Sequence, residues 1–151
     1  MKEGFFAAFV LLFAMVACDK PQINPIPNWQ VDFTIDVRFA DDDLFLSPSA
    51  KIITEPRFET DRLGFAGLIL TRDVLGDLHA FDRACPFEAE RITVLELDGI
   101  FAKCSKCGSV FDLTNGFGNR ISGPSEFDLK RYTVVFSSNL QYKVYNKDFR
   151  Y

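Results

Sequence analysis

The 151-residue chain has a single histidine, His79. Any site that draws two imidazoles from one chain is therefore excluded. Basic residues are not in excess: 17 Lys and Arg stand against 21 Asp and Glu, a net charge of −4. A nucleic-acid-binding surface is normally basic, so a nucleic-acid partner is not expected. No long stretch keeps a 3.6-residue apolar period, which argues against a helical fold. Internal repeats, low-complexity segments and a phosphate-cradling loop are all missing. His79 also lacks any nucleophile context that would suggest a Ser-His-Asp set. Apolar residues make up 48% and charged residues 25%, which is too apolar for disorder and suits one domain.

The N-terminus reads as an address. Phe5 to Val16 is an apolar run of 12 residues. A membrane-spanning helix needs about 20, so the run fits a signal-peptide core. It ends in Met15-Val16-Ala17-Cys18. Met15 is too large for the −3 position of ordinary signal cleavage. The segment resembles a bacterial lipobox, which implies that residues 1–17 are removed and that Cys18 becomes a lipid-bearing N-terminus. Acyl chains contribute about 0.8 kcal/mol per buried CH₂. The expected location is the cell envelope, with the membrane as partner through Cys18. Pro21, Pro25 and Pro27 make residues 18–29 a candidate tether. Residues 30–151 form the expected folded domain.

That domain reads as strands. Val31, Phe33, Ile35, Val37 and Phe39 alternate with polar residues, the period of a half-buried strand. Further strands are expected at 65–71, 78–83, 92–97, 100–103, 131–137 and 140–145. Asp98-Gly99 and Ser138-Asn139 mark hairpin turns. Asp41-Asp42-Asp43 reads as a solvated turn. Four of the 17 phenylalanines fall in the signal segment, and most others are expected at core-facing strand positions. The fold class is all-β, a sandwich or small barrel of short strands.

Three cysteines besides Cys18 carry the chemistry. Cys85 lies in Ala84-Cys85-Pro86-Phe87, and Cys104 and Cys107 in Cys104-Ser105-Lys106-Cys107-Gly108-Ser109. A Cys-x-x-Cys loop can aim two sulfurs at one point, as in zinc knuckles, iron–sulfur sites and redox pairs. Phe111-Asp112, Gly116, Gly123-Pro124, Leu129, Tyr132 and Val134 follow. Taken together, residues 64–146 resemble the Rieske 2Fe–2S domain family. The resemblance implies a β-sandwich with a small two-hairpin subdomain over roughly residues 81–127 that carries the cysteine loops at its tip.

The departures from that family decide the expectation. A Rieske centre holds one iron on two cysteines and the other on two histidines. By position, Cys85 and Cys104 match the cysteine ligands. Phe87 occupies the first histidine position and Cys107 the second. Phenylalanine has no lone pair for a metal. Ser109 matches a position that donates a hydrogen bond to a cluster sulfur in some members, and Gly123-Pro124 matches the loop that shields the cluster. Three arrangements remain open: a disulfide from Cys85 to Cys104 or Cys107; a single zinc or iron on three thiolates; and a non-standard 2Fe–2S cluster on the same three. His79, Asp82, Glu88 and Glu90 are the candidate fourth donors. The bland reading of each is a strand histidine or a solvated carboxylate. Asp112 is expected to order its own turn.

The expected function is that of a membrane-anchored envelope lipoprotein, a structural or binding module whose Rieske-like site has lost its histidines. The alternative is a metal or electron-transfer protein using Cys85, Cys104 and Cys107, with an envelope redox protein as partner. Catalysis on a substrate is not expected.

Overall fold

A computed structural model describes residues 23–146 of the chain. Cys18, the signal segment and the first half of the expected tether lie outside the described residues. The strands are β1 (Val31–Asp36), β2 (Ser49–Ile53), β3 (Arg62–Leu63), β4 (Leu68–Arg72), β5 (Leu78–Asp82), β6 (Leu95–Asp98), β7 (Phe101–Cys104), β8 (Val110–Asp112), β9 (Asn119–Ser122), β10 (Arg131–Ser138) and β11 (Gln141–Tyr145). One short 3-10 turn, Asp42–Leu44, accompanies them. The molecule is all-β, as its period-two patterning predicts. Among the described residues, no helix is long and apolar enough to cross a membrane.

Seven strands form one antiparallel sheet, in the order β2-β4-β5-β10-β11-β1-β3, that curls nearly closed. The other four, β6-β7-β8-β9, form a separate meander. β4 and β5 are the shared wall between two cores. Leu68, Leu70, Leu78 and Ala80 face the larger core with Val31, Phe33 and Ile35. Ile69 and Phe81 face a smaller core with Leu95, Phe111, Cys85 and Cys104. A strand buried on both faces reads as a continuous apolar run, which is why Leu68-Ile69-Leu70 shows no alternation. Each such aliphatic or aromatic side chain contributes about 1.5–3 kcal/mol when fully buried.

Both hairpin turns lie one residue later than their dipeptides suggest. Asp98 pairs with Phe101, so Gly99 and Ile100 make the turn, with Gly99 at φ +62°. Ser138 pairs with Gln141, so Asn139 and Leu140 turn, at φ +48° and +60°. Two successive positive φ values belong to the type I′ turn, whose twist matches the flanking strands. β1 stops at Asp36, short of the expected Phe39, because Phe39 N–H folds back to the Asp36 carbonyl at 3.3 Å. β2, β3, β8 and β9 were not anticipated.

Three expectations are corrected. Among the described phenylalanines only Phe33, Phe81 and Phe111 are fully buried, while Phe39, Phe45, Phe58, Phe87, Phe117 and Phe136 are exposed. Most of the exposed ones sit in loops, where period-two logic does not apply. Asp41 is not solvated: it is completely buried, and its carboxylate accepts hydrogen bonds from Arg57 Nη1 at 2.8 Å, from Arg57 Nη2 and from Asp36 N–H at 2.9 Å. Burial pushes the Asp41 carboxyl up, but the Arg57 guanidinium and the Asp36 amide hold it below its ordinary value. The tether docks before it reaches β1. Ile26 is buried, and Lys130 Nζ donates to the Ile26 and Pro27 carbonyls at 2.9 and 3.0 Å. Asn146 fastens the same stretch, accepting from Val31 N–H and donating to the Trp29 carbonyl, both at 3.0 Å.

Candidate metal centre

The three cysteines come from two loops brought together by the small sheet. β5 ends at Asp82, and the chain turns into the first loop under firm control. Asp82 Oδ1 accepts Ala84 N–H at 2.8 Å. Asp82 Oδ2 accepts Phe65 N–H at 2.8 Å and the Tyr132 hydroxyl at 2.6 Å. Cys85 N–H then donates to the Thr93 carbonyl at 3.1 Å, and Ala89 N–H to the Cys85 carbonyl at 2.9 Å, which closes a compact loop. The second loop begins at the end of β7, where Cys104 lies opposite Leu95. Cys104 N–H donates to the Ser109 carbonyl and Gly108 N–H to the Cys104 carbonyl, both at 2.9 Å. This tight reversal needs φ +75° at Gly108, a conformation that suits glycine.

The result is convergence. The sulfurs of Cys85, Cys104 and Cys107 all lie within 4.8 Å of one another. All three are free thiols. Cys85 and Cys107 are 3.6 Å apart, well beyond the roughly 2.05 Å of a disulfide bond. Cys85 and Cys104 are fully buried, whereas Cys107 reaches the surface.

Hydrogen-bond donors surround the sulfurs. Burial pushes the Cys85 thiol up to about 12, against the pull of the Glu88 and Phe87 backbone N–H groups. Cys107 has the opposite balance. Desolvation raises it, but the Ser109 hydroxyl, the Ser109 N–H and the neighbouring thiols bring it below its ordinary value. Ser109 is completely buried, with its Oγ 3.2 Å from Cys107 Sγ. The same oxygen accepts the Cys107 thiol and, at 3.1 Å, Ser125 N–H; once Cys107 is a thiolate, the hydroxyl hydrogen is free to turn to the sulfur. Gly123 makes that approach feasible. A Cβ there would lie 2.4 Å from Ser109 Cα, and its φ is +91°. The Gly-Pro loop therefore presses directly on the second cysteine loop.

The candidate fourth donors are not brought to the sulfurs. His79 sits half-buried on β5 with Nε2 2.8 Å from Asp73 Oδ2. The Asp82 carboxylate is occupied by three hydrogen bonds. Glu88 and Glu90 turn instead to Lys106, at 2.7 and 3.1 Å. Lys106 lies between the two cysteines of its loop, so these pairs clasp one cysteine loop to the other. Sequence reasoning missed this clasp, because it links residues 16 apart through loops that only the fold places side by side. Phe87, two residues after Cys85, is half exposed. Its contribution to the site is its backbone N–H. Asp112 orders its turn as expected, accepting Thr114 N–H at 2.8 Å.

No protein-family model matches the chain, and comparison with curated proteins finds no similar sequence.

Proposed function

We propose that the protein is a lipid-anchored metal-binding module of the cell envelope. It holds one zinc or iron ion on Cys85, Cys104 and Cys107, in a Rieske-like architecture that has lost both histidine ligands. One observation carries this reading: three sulfurs from two loops converge on a single point. Around a tetrahedral ion with metal–sulfur bonds of about 2.3 Å, sulfurs stand roughly 3.8 Å apart. The Cys85–Cys107 separation of 3.6 Å fits that spacing. A diiron cluster divides its ligands between two irons, so sulfurs on opposite irons stand well apart. The crowding seen here favours the single ion over the non-standard cluster.

The architecture supports the reading too. Two hairpin loops stand side by side, with the Gly123-Pro124 loop against Ser109. The residues present suit a soft ion, since thiolate ligands select zinc and iron. N–H groups of Phe87, Glu88 and Ser109 offset the negative charge collected on the sulfurs. The fourth coordination position is left to water or to a donor from a partner, on the side where Cys107 meets solvent. The lipobox-like segment ending at Cys18 supports a membrane anchor for the module.

Metal analysis of the anaerobically purified full chain tests this reading. One zinc or iron per chain without labile sulfide is expected, and Cys107→Ser should abolish retention. Two irons with labile sulfide would replace the single ion by a cluster. Colourless, metal-free protein would return the chain to a purely structural module.

A further inference from the structure

We propose that the centre is a redox-released metal site, in which an organic disulfide links Cys85 to Cys107 and sets the ion free. This inference rests on the metal reading above. It names a modification of the same residues and a pairing that the sequence left undecided.

Four observations select the pair. Cys107 is the one cysteine of the three that reaches solvent, so it is the sulfur an external oxidant meets first. Cys85 Sγ is already 3.6 Å away, and closing to bond length takes about 1.5 Å of movement. The movement has somewhere to occur. Gly108, next to Cys107, faces open space: apart from its chain neighbours, no atom lies within 4 Å of where a Cβ would sit. Cys104 is the one held in a strand: it ends β7 in register with Leu95, whereas Cys85 and Cys107 lie in loops. The usual expectation for a Cys-x-x-Cys loop is a bond within the loop. Here Cys85, from the other loop, already stands within 3.6 Å of Cys107.

The chemistry balances with an organic disulfide RSSR as oxidant. The Cys107 thiolate attacks one sulfur of RSSR. A Cys107–SR bond forms, the R–S–S–R bond breaks, and one RS⁻ leaves. The Cys85 thiolate then attacks Cys107 Sγ, forming the Cys85–Cys107 bond and expelling the second RS⁻. Two electrons pass from the cysteines to RSSR. The divalent ion keeps only Cys104, and one thiolate cannot retain it. It leaves as Cys104 takes up a proton.

The test uses the metal-loaded full chain and oxidised glutathione as RSSR. Metal is measured before oxidant is added, and its release is followed with a chromogenic chelator. Trypsin places the three cysteines on separate peptides, 84–91, 104–106 and 107–120, so the linkage is read directly by mass spectrometry. The expected result is one ion released for each link between 84–91 and 107–120, with 104–106 still alkylatable. In Cys104→Ser the same two peptides should link. A bond between 104–106 and 107–120, or full metal retention while the link forms, overturns the proposal. Metal retained with all three thiols alkylatable after prolonged oxidant also overturns it, and leaves the metal reading standing. A starting protein without metal defeats the metal reading itself, and the release mechanism falls with it.

Discussion

Removing one hydroxyl from the base of the first cysteine loop should destabilise the fold in a pH-dependent way. Tyr132 and Asp82 are both buried, and the phenol donates to Asp82 Oδ2 at 2.6 Å. Burial pushes the Asp82 carboxyl above its ordinary 3.8, against the pull of the Tyr132 hydroxyl and the amides of Ala84 and Phe65. The Tyr132 hydroxyl is itself pushed up by burial and by the Asp82 charge. A hydrogen bond to a charged group contributes about 1.5–3 kcal/mol, and its loss here leaves a buried carboxylate short of one donor. Tyr132→Phe should therefore cost about 2 kcal/mol at neutral pH, read from urea unfolding with an unchanged slope. The sign of the pH effect follows from the raised carboxyl. Its contribution is fully present below the unfolded value and is lost as pH rises through the folded one. Without the phenol the folded value rises further, so the difference between variant and wild type should shrink on acidification. A loss under about 0.5 kcal/mol, or one that stays constant between neutral and mildly acidic buffer, would refute the argument.

Other perturbations test separate parts of the structure. Gly123→Ala should cost about 2–4 kcal/mol in chemical denaturation and weaken metal retention, because its Cβ would strike Ser109 Cα from a left-handed backbone. Asp41→Asn strands Arg57. Breaking a fully buried pair costs about 3–5 kcal/mol, and with the Arg57 side chain 25% exposed about 2–3 is expected. Since Asp41 is held below its ordinary value, wild-type stability from this pair should fade as pH drops through that lowered value, and an acid titration of unfolding checks it. Cys18→Ala should move the protein from the membrane to the soluble fraction, and unchanged fractionation would remove the lipid anchor from the account.

Much of the architecture was legible because short strands with one buried face announce themselves. Val31, Phe33 and Ile35 alternate cleanly and are buried as their spacing implies. β2 was missed because Ser49–Ile53 shows no alternation, and only Ile53 is fully buried. It became a strand through pairing with β4, a partner about 20 residues away. β3 and β9 likewise exist through their neighbours and bury little of their own surface. The exposed phenylalanines show the same limit from the other side, since hydrophobicity alone does not say whether a loop residue finds a core.

At the site, the Cys-x-x-Cys spacing and the position of Cys85 pointed to convergence, and the fold brings all three sulfurs together. The supporting residues were harder to see. Ser109 could be singled out by its position, but the Ser125 amide that orients its hydroxyl could not. The Lys106 clasp depends on Glu88 and Glu90, which in sequence are indistinguishable from solvated charges. Asp82 looked like a candidate ligand and proves to be an anchor, because its neighbours consume its lone pairs before a metal could.

X-ray absorption at the metal edge of the loaded full chain tests the central claim most directly. Three sulfur scatterers at about 2.3 Å and one lighter donor are expected. A second metal at short distance, or a first shell with fewer than three sulfurs, would contradict it.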